Sequence, residues 1–145
     1  MATITPIRIS GETIATVDLA WAALTDPPQV ARWFADATPV AGGAGSAYSI
    51  DFGDGGVIDG VIHELVPGRR LSYTWQWRGQ DESTTLVTWD LEPIANDGCR
   101  ITLTHEGWQE AGADEALRDD HAGYWEGYLA DLLDMLSSDA AGAAR

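Results

Sequence analysis

Hydrophobic and polar positions change period three times along the chain, and the changes mark its elements. "TITPIRISGETIA" alternates isoleucine with polar residues, the two-residue period of a half-buried strand. "LAWAALT" and "PPQVARWF" then take up helical spacing. Asp18 is the expected N-cap of the first short helix and Asp26 of the second, with Pro27 at its first position, where the missing N–H is no loss. The second helix is expected to run through Val30, Trp33 and Phe34 until "ADATPVAGGAG" ends it.

Five alternating runs follow. "AYSIDF" puts Tyr48, Ile50 and Phe52 on one face, and "VIDGVIHELV" comes next. "LSYTWQWR" sets Leu71, Tyr73, Trp75 and Trp77 against Ser72, Thr74, Gln76 and Arg78. "LVTWDLE" aligns Val87, Trp89 and Leu91, and "RITLTH" aligns Ile101, Leu103 and His105. Turn signals separate them: Asp54-Gly55, Pro67-Gly68 and Ala95-Asn96-Asp97-Gly98. Connections this short make the strands an antiparallel meander. A glycine-rich connector, "EGWQEAGADEA", leads into a long helix carrying "HAGYWEGYLADLLDML", and residues 137–145 are expected to fray.

The last helix has two faces. With Trp125 at the centre of a helical wheel, His121, Tyr128, Leu129, Leu132 and Leu136 lie within about 60° of it, and Gly123 and Gly127 lie about 160° away. The outer strip of small residues is either solvated or a groove for a partner subunit, so a homodimer is open to this chain. The acids Glu126, Asp131 and Asp134 rule out a membrane-dimerisation reading of the G-x-x-x-G spacing. Six strands at about 4.8 Å spacing make a sheet nearly 30 Å wide, whereas a helix with its side chains is only about 10–12 Å across. The sheet must curl around the helix, and a curled sheet gripping one helix leaves a wedge-shaped apolar space.

Composition narrows the partners. The 145 residues show no linker and no internal repeat, so one domain over 1–145 is expected. Net charge is −15, from 23 acidic residues against eight basic ones, all of them Arg. Such a field repels phosphate backbones and anionic membrane surfaces, so neither nucleic acid nor membrane insertion is expected. Genome bias and salt adaptation both account for an acidic chain without Lys. No apolar run approaches the roughly 18 residues of a membrane span, and "MATITPIRIS" lacks a signal-peptide profile, so a cytoplasmic location is expected.

Catalytic and metal-binding motifs are absent. "GGAGSAY" feeds a strand and lacks the Lys of a phosphate loop, and neither G-x-S-x-G nor H-E-x-x-H occurs. His63, His105 and His121 fit no ligand spacing and Cys99 is the lone cysteine, so no metal, cofactor or disulfide is expected. No acidic pair is placed for acid–base work. Seven tryptophans stand out instead. Trp33, Phe34, Tyr48, Ile50, Trp75, Trp77, Trp89, Trp108 and Trp125 are the expected cavity walls, though each ring also suits a filled core. His105, His121 and Tyr128 are the expected polar contacts, of the kind that orient a ligand in an apolar pocket. The alternative for either histidine is a bond to backbone or water at the end of its element.

Several motifs, taken in order, carry a family resemblance: "VDLAWAALTDPPQVARWFAD", "GG" before a strand, "PGRRLSYTW", "CRITLTHEGW" and H-x-x-x-W-x-x-x-L-x-x-L. From about Thr13 to Leu136 the chain resembles the AHSA-type family, homologues of the activator of the heat-shock chaperone ATPase, within the START-like (SRPBCC) superfamily. The resemblance implies an α+β helix-grip fold: a curved six-stranded antiparallel sheet around a long C-terminal helix, two short helices after strand 1, and a hydrophobic cavity between. One departure is that Tyr124, not glycine, precedes Trp125, which reshapes the cavity mouth. Relatives include hydrophobic-ligand binders, aromatase/cyclases and co-chaperones, so fold does not settle function. The leading expectation is a binding module for a hydrophobic or aromatic small molecule. A cyclase- or aromatase-like enzyme using the same cavity comes second. A co-chaperone-type interaction domain comes third, because the additional N-terminal domain of those co-chaperones has no counterpart here.

Overall fold

A computed structural model describes residues 4–37, 43–53, 56–79 and 84–143. Strand β1 (Ile7–Thr13) leads into helices α1 (Val17–Thr25) and α2 (Pro27–Trp33). Strands β2 (Asp36–Ala37), β3 (Ala47–Asp51), β4 (Val57–Val66), β5 (Arg70–Trp77), β6 (Thr85–Ile94) and β7 (Gly98–Glu106) follow, and helix α3 (Glu115–Ala143) closes the order. The strands form one sheet in the order β1-β7-β6-β5-β4-β3-β2, with each neighbouring pair antiparallel. This curled sheet with α3 in its grip is the helix-grip fold.

Among the described residues the sheet has seven strands, not six. The extra strand, β2, pairs Asp36 with Asp51 and Ala37 with Ile50, and two residues are too few to show a period. The cap of α1 is Thr16, not Asp18. Thr16 keeps extended angles (φ −71°, ψ 163°) and its hydroxyl accepts from the Leu19 N–H at 3.2 Å. Asp18 already lies in the first turn, where its charge suits the positive end of the helix dipole. Asp26 occupies the N-cap position of α2 without a side-chain bond, Pro27 is the first helical residue, and the helix stops at Trp33 with Phe34 just outside. The expected Asp54-Gly55 turn lies outside the described residues.

The C-terminal segment also differs from expectation. Helix α3 continues through the residues expected to fray, as far as Ala143. Alanine-rich sequence favours that continuation. Asp139 also takes both terminal nitrogens of Arg32, at 2.8 and 2.9 Å, which ties the end of α3 to α2.

Two local features shape the inner face. In β4, pairing with β5 shifts register between Ile62 and Glu64, and the bulge turns Leu65 toward the core after Ile58 and Ile62 have already faced it. Gly60 stands opposite Tyr48, and a Cβ there would collide with the Thr74 carbonyl and the Tyr48 ring. The glycine is what lets that ring lie flat across β4. The core between sheet and helix is sealed by Ile101, Leu103, Val87, Trp89, Leu132 and Leu136.

Candidate functional site

The inner face of β5 and the inner face of α3 do not meet along their whole length. Trp75 and Trp77 project from β5 at spacing two. His121, Trp125 and Tyr128 project from α3 at spacings of four and three, with Tyr124 beside them. Phe34, just past α2, and Phe52, just past β3, close the ends. Together these side chains line a cavity of about 230 Å³. Trp125 forms its floor at 2% exposure, while Tyr124, at 69%, stands at the mouth. An apolar cavity of about 150 Å³ is enough to hold benzene, so this space takes a somewhat larger molecule.

The rings around it are in mutual contact, some nearly parallel, as Phe34 with Trp75 at 21°, and some at steep angles. Phe34 meets Phe52 at 82° and Tyr128 at 83°, and Trp75 meets Trp77 at 84°. Trp75 and Trp125 lie 5.1 Å apart between centroids.

Two histidines set the polar chemistry. The His105 Nδ1 accepts from the Trp125 indole N–H at 2.9 Å. An indole nitrogen only donates, so the His105 proton sits on Nε2, which donates to Thr85 Oγ1 at 2.7 Å. The Thr85 hydroxyl donates onward to the Trp75 carbonyl at 3.3 Å. The Trp108 indole donates to the His105 carbonyl at 2.9 Å. His121 works the same way with its nitrogens exchanged: Nδ1 donates to the Leu117 carbonyl at 2.9 Å. Its Nε2 accepts from both Trp77 (3.1 Å) and Trp75 (3.3 Å). Burial pushes the His105 pKa well below the ordinary value, and neighbouring His121 pushes it further. Burial also lowers His121, against the opposing pull of the Leu117 carbonyl and the Asp120 charge. Both imidazoles are therefore neutral acceptors for indole protons.

Of the twelve expected site residues, the structure gathers Phe34, Trp75, Trp77, His121, Trp125 and Tyr128 around the cavity. It places Trp33, Tyr48, Ile50 and Trp89 deeper, around a gap of about 30 Å³, room for a water or two. There the Trp33 indole donates to the Ala23 carbonyl at 2.7 Å and the Trp89 indole to the Tyr73 hydroxyl at 2.9 Å. The Tyr48 hydroxyl donates to the Thr74 carbonyl, and burial pushes its pKa above the usual range. Trp108 borders another gap of about 30 Å³ beside Thr85 and Leu117. His105 is fully buried behind the wall. Phe52 and Tyr124 line the cavity without being among the twelve. Phe52 shares the parity of Tyr48 and Ile50, which was the available signal for it.

Among the described residues, no group of three His, Cys, Asp or Glu side chains is placed to hold a metal ion. Among the same residues, no helix is long and apolar enough to cross a membrane.

Solved structures share this architecture. DynU16, a protein of the dynemicin biosynthetic locus, is 26% identical with a TM-score of 0.81 over 92% of this chain and 48% of its own. This chain thus spans about half the length of DynU16. Protein MLL2253 from Mesorhizobium loti, 20% identical, has a TM-score of 0.82 over 92% of this chain and 98% of its own, a likeness of fold. Aha1 from Colwellia psychrerythraea, solved in solution as a dimer, is 25% identical with a TM-score of 0.75 over 92% and 96% of the two chains. No curated protein matches the sequence. The family model described as activator of Hsp90 ATPase homolog 1-like protein matches residues 14–137, and the chain belongs to that family.

Proposed function

We propose that the chain binds a small apolar molecule in the cavity between β5 and α3. One observation carries the reading: a space of about 230 Å³, walled by aromatic rings from four chain segments, opens beside exposed Tyr124 instead of being filled. DynU16 belongs to a biosynthetic locus, and a small-molecule ligand fits that setting. A catalytic role for the same cavity has less support, because His121, the histidine that reaches it, has both ring nitrogens engaged.

The test is a titration of one- and two-ring apolar compounds, followed by tryptophan fluorescence and thermal unfolding. Trp75, Trp77 and Trp125 lie in the wall, so a bound ligand should change the emission. A ligand at 100 times its Kd should stabilise the fold by about 2.7 kcal/mol. A panel that leaves both emission and melting temperature unchanged overturns the reading. The proposal includes a homodimer, supported by the dimer of the Colwellia relative; light scattering should report twice the chain mass, and a monomer mass overturns that part.

A further inference from the structure

The wall of the cavity constrains what it holds. Its rings face several directions: Phe34 crosses Phe52 at 82° and Trp75 crosses Trp77 at 84°, while Phe34 lies nearer parallel to Trp75, at 21°, and to Trp125, at 33°. A flat ligand stacks on the near-parallel Phe34 and Trp75 and meets Phe52, Tyr128 and Trp77 edge-on, whereas a compact rounded group is met by rings of both orientations at once. No described lining residue carries a formal charge, since the one ionisable base there, His121, keeps its Nε2 bare for two indole protons.

Two carboxylates on α3 stand just outside the wall, and Arg78, which follows Trp77, is held by Asp59. Asp120 precedes His121 on α3, and its charge reaches that imidazole. The Asp131 charge likewise reaches the Tyr128 hydroxyl. Arg118, on the same helix, is turned away onto the Thr5 and Pro6 carbonyls and Asp119. The whole chain, at −15, adds to the same field.

We propose that the cavity is an aromatic cage for an organic cation, a compact ammonium group on an apolar body. Ring faces hold such a cation through their quadrupoles, most strongly where water is excluded, and the α3 carboxylates draw it to the mouth. This rests on the reading of the cavity as a ligand site and names the ligand's chemical class. An anionic ligand meets the opposite field and finds no basic group in the described wall.

Phenyltrimethylammonium and its neutral isostere tert-butylbenzene separate charge from shape. Hydrophobicity alone favours the neutral compound, so a reversed order is diagnostic. Titrated into the full chain at low salt, the cation should bind at least about fivefold more tightly than tert-butylbenzene. Asp131→Asn, on the exposed side of α3, should weaken the cation about two- to threefold and leave the neutral ligand unchanged. If tert-butylbenzene binds as tightly as the cation or more so, the cage inference is overturned and the cavity reading stands. If neither compound binds at any accessible concentration, both are overturned.

Discussion

A histidine nitrogen that accepts an indole proton must stay bare, and the fold asks this of both His105 and His121. Protonation would set N–H against N–H, and burial already holds both pKa values below the ordinary histidine value of 6.5. As pH falls through that value, the unfolded chain takes up protons that the folded chain refuses, so stability rises with pH in this window. The contribution is fully present above about pH 6.5 and is lost progressively below it. Urea unfolding at about pH 5.5 should give about 1–3 kcal/mol less stability than at about pH 7.5; equal values would remove the acceptor assignment. His105→Leu leaves the Trp125 N–H without an acceptor in a dry core. It should cost about 2–4 kcal/mol and flatten part of that pH dependence, both read from the same urea curves.

Within single elements, the same glycine-to-alanine change should act with opposite signs. On β4, a Cβ at Gly60 would strike the Thr74 carbonyl and the Tyr48 ring, so Gly60→Ala should destabilise by about 2–3 kcal/mol. On the outer face of α3, a Cβ at Gly127 meets nothing within 4 Å, so Gly127→Ala should stabilise by about 1 kcal/mol. Chemical denaturation of the two single variants checks both, and a shared sign would contradict the packing described. The outer position of Gly127 is legible in the sequence because a helical wheel orders side chains around an axis. Strand alternation works equally well for faces: it turns Trp75, Trp77 and Trp89 inward alike. It says nothing about depth. Depth comes from where α3 and α2 cross the sheet, which places Trp125 5.8 Å and Trp33 5.7 Å from Trp89 and leaves Trp77 at the cavity. The histidine roles are hidden for the same reason, since the indoles that bond to His121 lie more than 40 residues away in the chain. Strand β2 is hidden because two residues have no period, and the Thr16 cap because backbone angles decide between neighbouring Thr and Asp.

At the scale of the whole molecule, charge is the term most exposed to solution conditions. Among the described residues, five arginines are engaged with carboxylates: Arg32 with Asp139, Arg70 with Asp90 and Glu64, Arg78 with Asp59, Arg100 with Glu12 and Glu92, and Arg118 with Asp119. With 23 acids against eight bases, a large acidic excess is left to repel itself across the folded surface, and unfolding relieves that repulsion. Added salt should therefore stabilise the fold even though it weakens the surface ion pairs, because repulsive pairs outnumber attractive ones. The shape of the effect identifies its cause. Screening lengths fall from about 30 Å at 0.01 M to about 8 Å at 0.15 M and only to about 3 Å at 1 M. A screening effect should thus deliver most of its rise in melting temperature below about 0.2 M NaCl and then level off. Stabilisation through exclusion of salt from the apolar surface would instead keep climbing at high concentration, and more steeply in sulfate than in chloride. A thermal-unfolding series in NaCl and sodium sulfate at matched ionic strength separates the two. Coincident curves that level off early support self-repulsion as the dominant electrostatic term, and a melting temperature that is flat or falling over the first 0.2 M or so removes it.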